Sequence, residues 1–107
     1  DFIAAQVEGD NKAMMQTLDT LRSQLSADSV IVLAQVADGK VGMVVSVSKS
    51  LTDKVKAPDL LAAVADQVGA KGGGRPDLAR AGGGTNPEGV AQALADAQVW
   101  MRNRLGS

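Results

Sequence analysis

Val30-Ile31-Val32-Leu33-Ala34-Gln35-Val36-Ala37-Asp38-Gly39-Lys40-Val41-Gly42-Met43-Val44-Val45-Ser46-Val47-Ser48 is the stretch whose reading decides the fold. Its first part, Val30 to Ala34, is a continuous apolar run rich in β-branched residues. A strand covered on both faces has this pattern. From Lys40 to Ser48 the sequence alternates instead. Val41, Met43, Val45 and Val47 take one face, and Gly42, Val44, Ser46 and Ser48 the other. Asp38-Gly39 between them is a two-residue hairpin signal, because both turn positions need positive φ. An antiparallel hairpin is predicted.

Upstream, Met14, Leu18, Leu21 and Leu25 recur at steps of four, three and four, which predicts one apolar face of a helix over 11–25. Asp10 can cap it. Downstream, residues 49–57 are polar and basic without periodicity. A second helix is predicted to start at Pro58, with Leu60, Leu61, Val64 and Val68 on its apolar face, and to stop near Gly69. Gly72 to Gly84 is of low complexity, with two triple-glycine runs around a short predicted strand, Asp77 to Ala81. The last helix runs from Pro87 to about Leu105. Asn86 caps it, Glu88 suits its positive end, and Val90, Leu94, Ala97, Met101 and Leu105 line its buried face, bordered by Trp100.

The order is helix, strand, strand, helix, short strand, helix. It predicts an α+β fold, a mixed α/β sandwich: a small sheet with an antiparallel hairpin and helices packed against it. A chain of 107 residues is one compact domain. Residues 27–107 are expected to form its globular body. Residues 1–26 are expected to be the end of a helical, dimerisation-type linker or a part of that core. The chain starts at Asp1, without a Met or a basic leader, and is expected to be a fragment of a longer protein.

Composition removes several classes of chemistry. There is no cysteine and no histidine. A disulfide framework, a thiolate or imidazole zinc site, a Ser-His-Asp triad and a Cys-His pair are all excluded. A reducing, cytoplasmic setting is the natural expectation. No apolar run approaches the ~18 residues a membrane helix needs. The net charge is only −1, but the cations are unevenly spread. Lys49, Lys54, Lys56, Lys71, Arg75 and Arg80 all fall between residues 49 and 80. A basic surface and a chance clustering of solvated side chains remain equal readings of that fact.

The glycine run Gly72-Gly73-Gly74 is costly to order. Its free N–H groups could cradle an anion, with Arg75 adding a bidentate phosphate contact. It could equally be a flexible loop or a tight strand connection, or shape a sheet edge that presents the neighbouring cations. It is not a Walker loop, because no Gly-Lys-Ser/Thr follows. Nor is it a dinucleotide fingerprint, because it does not open a helix.

Gly72-Gly73-Gly74-Arg75-Pro76-Asp77-Leu78-Ala79-Arg80-Ala81-Gly82-Gly83 resembles the signature of the DHH-associated domain. The version it resembles is the one at the C-terminus of bacterial alanyl-tRNA synthetases. The strand at Val30–Ala34, the Asp38-Gly39 turn, Val47-Ser48-Lys49, Thr52-Asp53-Lys54-Val55-Lys56-Ala57 and Val68-Gly69-Ala70-Lys71 are also similar to that family. Arg80 and Gly84 depart from its usual pattern. Related phosphoesterases carry a histidine after their glycines where this chain has Arg75.

The resemblance implies a parent enzyme that joins alanine to its tRNA, using ATP, Mg and Zn, and hydrolyses mischarged tRNA in a separate editing domain. It implies that this fragment is noncatalytic, holds no cofactor or metal of its own, and grips the outer corner of tRNA(Ala), linking the two activities. Lys71, Gly72, Gly73, Gly74, Arg75, Arg80, Lys49, Lys54 and Lys56 are the expected tRNA-binding residues. Their charge would act on phosphates and give salt-dependent, sequence-tolerant affinity. With Phe2 and Trp100 as the only aromatics, a broad stacking platform is not expected. In bacterial relatives a helical segment just upstream supports dimerisation, so a homodimer through the N-terminal helix is a second expected contact. Two other readings stay open: a dimerisation module without a nucleic-acid role, and the substrate-binding half of a DHH-type phosphoesterase.

Overall fold

A computed structural model describes residues 2–7, 11–24, 29–37, 39–48, 51–52 and 55–105. Its elements are β1 (Phe2–Val7), α1 (Asn11–Gln24), β2 (Val30–Ala37), β3 (Lys40–Val47), α2 (Ala57–Val68), β4 (Lys71–Arg75), β5 (Leu78–Gly84) and α3 (Val90–Leu105). A 3-10 turn, Pro87–Gly89, leads into α3. The strands form one sheet in the order β1-β2-β3-β5-β4. β1 lies parallel to β2, and every other pair is antiparallel. The fold is the α+β sandwich the sequence predicts.

The hairpin is present, with Ala37 opposite Lys40 and Val30 opposite Val47. Gly39 has φ +75°, the turn conformation that a residue without a Cβ adopts at little cost. The period-2 pattern then sorts side chains into two cores. Val30, Val32, Ala34, Val41, Met43, Val45 and Val47 pack with α2 and α3. Ile31, Leu33 and Val44 pack with Met14 and Leu18 of α1 on the opposite face. β2 is therefore covered on both sides, which its unbroken apolar run requires. Leu21 is partly buried against the α1 core. The two strands close at their open end through serine. The Ser29 N–H donates to Ser48 Oγ at 2.8 Å, and the Ser48 hydroxyl donates back to the Ser29 carbonyl at 3.0 Å.

The two C-terminal helices follow the predicted stripes. Leu60, Leu61, Val64 and Val68 of α2 are buried, as are Val90, Ala93, Ala97 and Met101 of α3. Leu94 and Trp100 pack partly buried against that core. α2 starts one residue before the predicted Pro58: the Lys56 carbonyl accepts from the N–H groups of Asp59 (3.0 Å) and Leu60 (3.2 Å). Asp10, Leu25, Asp38 and the side chain of Leu105 lie outside the described residues.

Two strands are not predicted by the sequence. β1 is a run of mixed, partly alanine residues whose strand state comes from its pairing with β2, Phe2 opposite Val30 through Val7 opposite Gln35. β4 falls on the glycine run. β5 is longer than the predicted Asp77–Ala81 strand, reaching Gly84. Between the pairs Met43–Ala81 and Val41–Gly84 it carries one more residue than β3 does. That is a bulge, and Gly83 inside it has φ +69°. No described helix is long and apolar enough to cross a membrane.

Ile31 is 1% exposed, between β1 and β3 under α1. Removing one methylene there (Ile31→Val) is expected to cost about 1 kcal/mol, since the surroundings close only partly over the gap. Urea unfolding at constant m-value measures it. No change in midpoint would mean that α1 does not seal this core.

Candidate nucleic-acid interface

The glycine run is a strand. β4 pairs with β5 in the register Lys71–Gly82, Gly72–Ala81, Gly73–Arg80, Gly74–Ala79 and Arg75–Leu78. Its backbone groups are thus committed in part to a ladder, so the run is no flexible loop but a tight strand connection. The physical reason is close approach. A Cβ on Gly72 would lie 2.6 Å from the Ala81 Cα and against the Arg80 carbonyl, and one on Gly74 would lie 2.8 Å from the Ala79 Cα. Only glycine lets β4 sit this near to β5.

Gly73 differs from its neighbours. A Cβ there meets nothing within 4 Å, and the same holds at Gly82. Neither has a positive φ. Gly73→Ala is therefore expected to leave stability unchanged or raise it by up to about 0.5 kcal/mol, because glycine is the less favourable residue inside a strand. A thermal melt checks this. A drop of several degrees would show that the open side of Gly73 is needed by the fold.

The register also gathers charge. Residues two apart along a strand share a face, and directly paired residues share it across strands. Lys71, Gly73 and Arg75 therefore lie on the same face as Gly82, Arg80 and Leu78. Leu78 packs against the α1 core, so this is the α1 side of the sheet. All three cations are exposed. Arg80 faces Gly73, which has no side chain, with Lys71 and Arg75 as its diagonal neighbours. Three positive groups thus surround a floor of bare backbone made by Gly73 and Gly82.

Among the described residues, Arg75 has an ion-pair contact with Asp77. Its Nε lies 3.9 Å from Asp77 Oδ1, with the Arg75 side chain 75% exposed. At that distance and exposure the pair orients the guanidinium more than it neutralises it. The turn that carries both is pinned to the body. The Asp77 carbonyl accepts from the Val47 N–H (2.9 Å) and the Pro76 carbonyl accepts from the Ala57 N–H (2.8 Å). The second bond brings Lys56, the exposed residue before Ala57, alongside the Arg75 end of β4. A shallow depression lined by Thr52, Arg75, Pro76 and Asp77 lies here. Lys49 and Lys54 lie outside the described residues. Of the nine predicted residues, the structure brings together Lys71, Gly72, Gly73, Gly74, Arg75 and Arg80, with Lys56 at the margin.

Gly82 was not singled out in the sequence. Its signal is visible only once the register is known, because its role follows from lying opposite Lys71. Among the described residues no group of three or more His, Cys, Asp or Glu side chains could hold a metal ion.

Comparison with known proteins places these observations. The DHHA1 domain matches residues 1–103. The alanine–tRNA ligase of Dechloromonas aromatica (strain RCB) is 49% identical over 104 residues, covering 96% of this chain and 12% of the ligase. That of Xanthomonas campestris pv. campestris (strain B100) is 50% identical over 105 residues, covering 97% of this chain and 12% of the ligase. The chain thus spans about an eighth of the length of these relatives. The crystal structure of the C-Ala domain from Aquifex aeolicus alanyl-tRNA synthetase superposes with a TM-score of 0.79 at 28% identity, covering 100% of this chain and 94% of that one.

Proposed function

This chain belongs to the DHHA1 domain family, and from that premise we propose that it is the tRNA-binding C-terminal domain of an alanine–tRNA ligase. On this reading the parent is a cytoplasmic enzyme that charges tRNA(Ala) and clears mischarged product in an editing domain. The present domain does no chemistry. It holds the outer corner of the tRNA and so keeps one molecule within reach of both activities. ATP, Mg and Zn belong to the parent's other parts. With neither histidine nor cysteine, this chain offers no usual zinc ligand set.

The observation that carries the proposal is the cationic face of β4 and β5. Lys71, Arg75 and Arg80 share one side of a strand pair whose centre is bare backbone. Long, exposed cations on one face attract a polyanion regardless of its sequence. Bare backbone between them lets a ribose or phosphate approach without meeting a Cβ. The corner of tRNA is recognised by shape and exposed backbone, which suits a site without aromatic stacking groups. Lys56 extends the same charge along the β4–β5 turn.

A titration of this chain with an alanine-accepting tRNA transcript tests the proposal. Saturable binding is expected, with competition by other intact tRNAs, since phosphates carry no sequence information. A chain that stays unbound at tens of micromolar tRNA in low salt would remove the proposal.

A further inference from the structure

We propose that the outer edge of β4 takes up an extended segment of another protein, with acidic residues four positions apart and apolar residues on the side facing α2. This goes beyond the tRNA reading and does not depend on it. β4 is the terminal strand of the sheet, so one of its edges pairs with no strand among the described residues, and all five of its residues are exposed. An open edge is a template for a further strand unless charge, proline or a bulge blunts it. Here the blunting groups stand only at the ends, Lys71 and Arg75-Pro76. The three residues between them carry no side chain.

The two sides of such an added strand would meet different surroundings. Along the α2 side of β4 runs a shallow apolar groove lined by Leu61, Ala62, Ala65, Ala70, Lys71 and Gly72. The small side chains of Ala62 and Ala65 leave room for an aliphatic side chain from an incoming strand. The residue of that strand opposite Gly72 would project there, and the one opposite Gly74 would project on the same side of the sheet. Residues opposite Lys71 and Arg75 would project on the cationic face, where acidic side chains fit. The residue opposite Gly73 faces no side chain on β4 and is unrestricted. The pattern is therefore acidic, apolar, any, apolar, acidic. Strand addition of this kind draws affinity from main-chain hydrogen bonds and specificity from alternate side chains.

The same charges argue against a second copy of this chain as the occupant. Antiparallel self-pairing centred on Gly73 would set Lys71 directly opposite Arg75 of the other copy, and like charges in that position are destabilising. RNA is disfavoured at the edge too, because it offers no extended row of alternating donors and acceptors at strand spacing.

The test titrates the 15N-labelled chain with an acetylated, amidated peptide containing Glu-Val-Ser-Val-Glu, and separately with Lys-Val-Ser-Val-Lys. Amide shifts at Gly72, Gly73, Gly74, Ala62 and Ala65 are expected with the acidic peptide, at least tenfold weaker with the basic one. Ala62→Glu, at an exposed position in the groove, is expected to weaken the peptide at least tenfold and to leave tRNA binding unchanged. Absence of shifts at millimolar peptide would overturn the proposal. So would shifts that ignore the peptide's charge, an Ala62→Glu variant that binds the acidic peptide normally, or β4 shifts that follow protein concentration alone, the sign of self-pairing.

Discussion

Reversing Lys71, Arg75 and Arg80 together (K71E/R75E/R80E) is expected to lower the affinity of this chain for tRNA about 500-fold near ~0.1 M salt. Each phosphate contact releases condensed counterions and contributes close to one power of the salt concentration to the binding constant. At ~0.1 M that is nearly a factor of ten per contact, and glutamates add repulsion. The three residues are exposed and share one face, so the variant is expected to fold. Three glutamates repel one another much as the three cations do, and the one at position 75 also faces Asp77. A thermal midpoint within a few degrees of that of the unmodified chain, together with the lost affinity, separates loss of contact from loss of structure. An affinity within twofold of the starting value would place the tRNA surface elsewhere.

The second large effect is on the fold. Gly72→Val is expected to destabilise the domain by about 3 kcal/mol, the upper part of the range for overpacking a close contact. The added Cβ would fall against the Arg80 carbonyl and the Ala81 Cα, both of them backbone atoms with no rotamer to move. β4 must then leave β5, and Ala81, which packs under α2 and α3, loses part of its cover. The expected contrast with Gly73→Ala is sharp, although the two positions adjoin. Urea unfolding of both variants measures it. Equal stabilities would mean that the close approach of β4 to β5 is not what the glycines serve.

The hairpin and the helices were legible because hydrophobic period alone specifies them. Val30–Ala34 had to be covered on both faces, and Met14, Leu18, Ile31 and Leu33 show how. β1 was not legible, because a short stretch such as Ile3-Ala4-Ala5 has no periodicity of its own and gains its state from β2. β4 was hidden for the opposite reason. Glycine has low strand propensity, so Lys71–Arg75 reads as a loop until the clash at Gly72 and Gly74 is seen. The cations themselves were legible as a cluster in the chain. That Arg80 comes to lie between Lys71 and Arg75 was not, since it depends on a register that the tight Arg75–Leu78 turn sets. The resemblance of the glycine motif identified the family and left the motif divided between a direct tRNA contact and a sheet edge; the register places it at that edge.

On the proposed function this face binds tRNA through its phosphates. The most direct test is the tRNA affinity of the unmodified chain and of K71E/R75E/R80E at several salt concentrations between about 50 and 200 mM. The unmodified chain is expected to lose affinity steeply as salt rises, and the slope of log K against log salt is expected to shrink by roughly two to three units in the variant, close to one per contact removed. A slope that is the same in both proteins, or an affinity that does not respond to salt, would contradict the account.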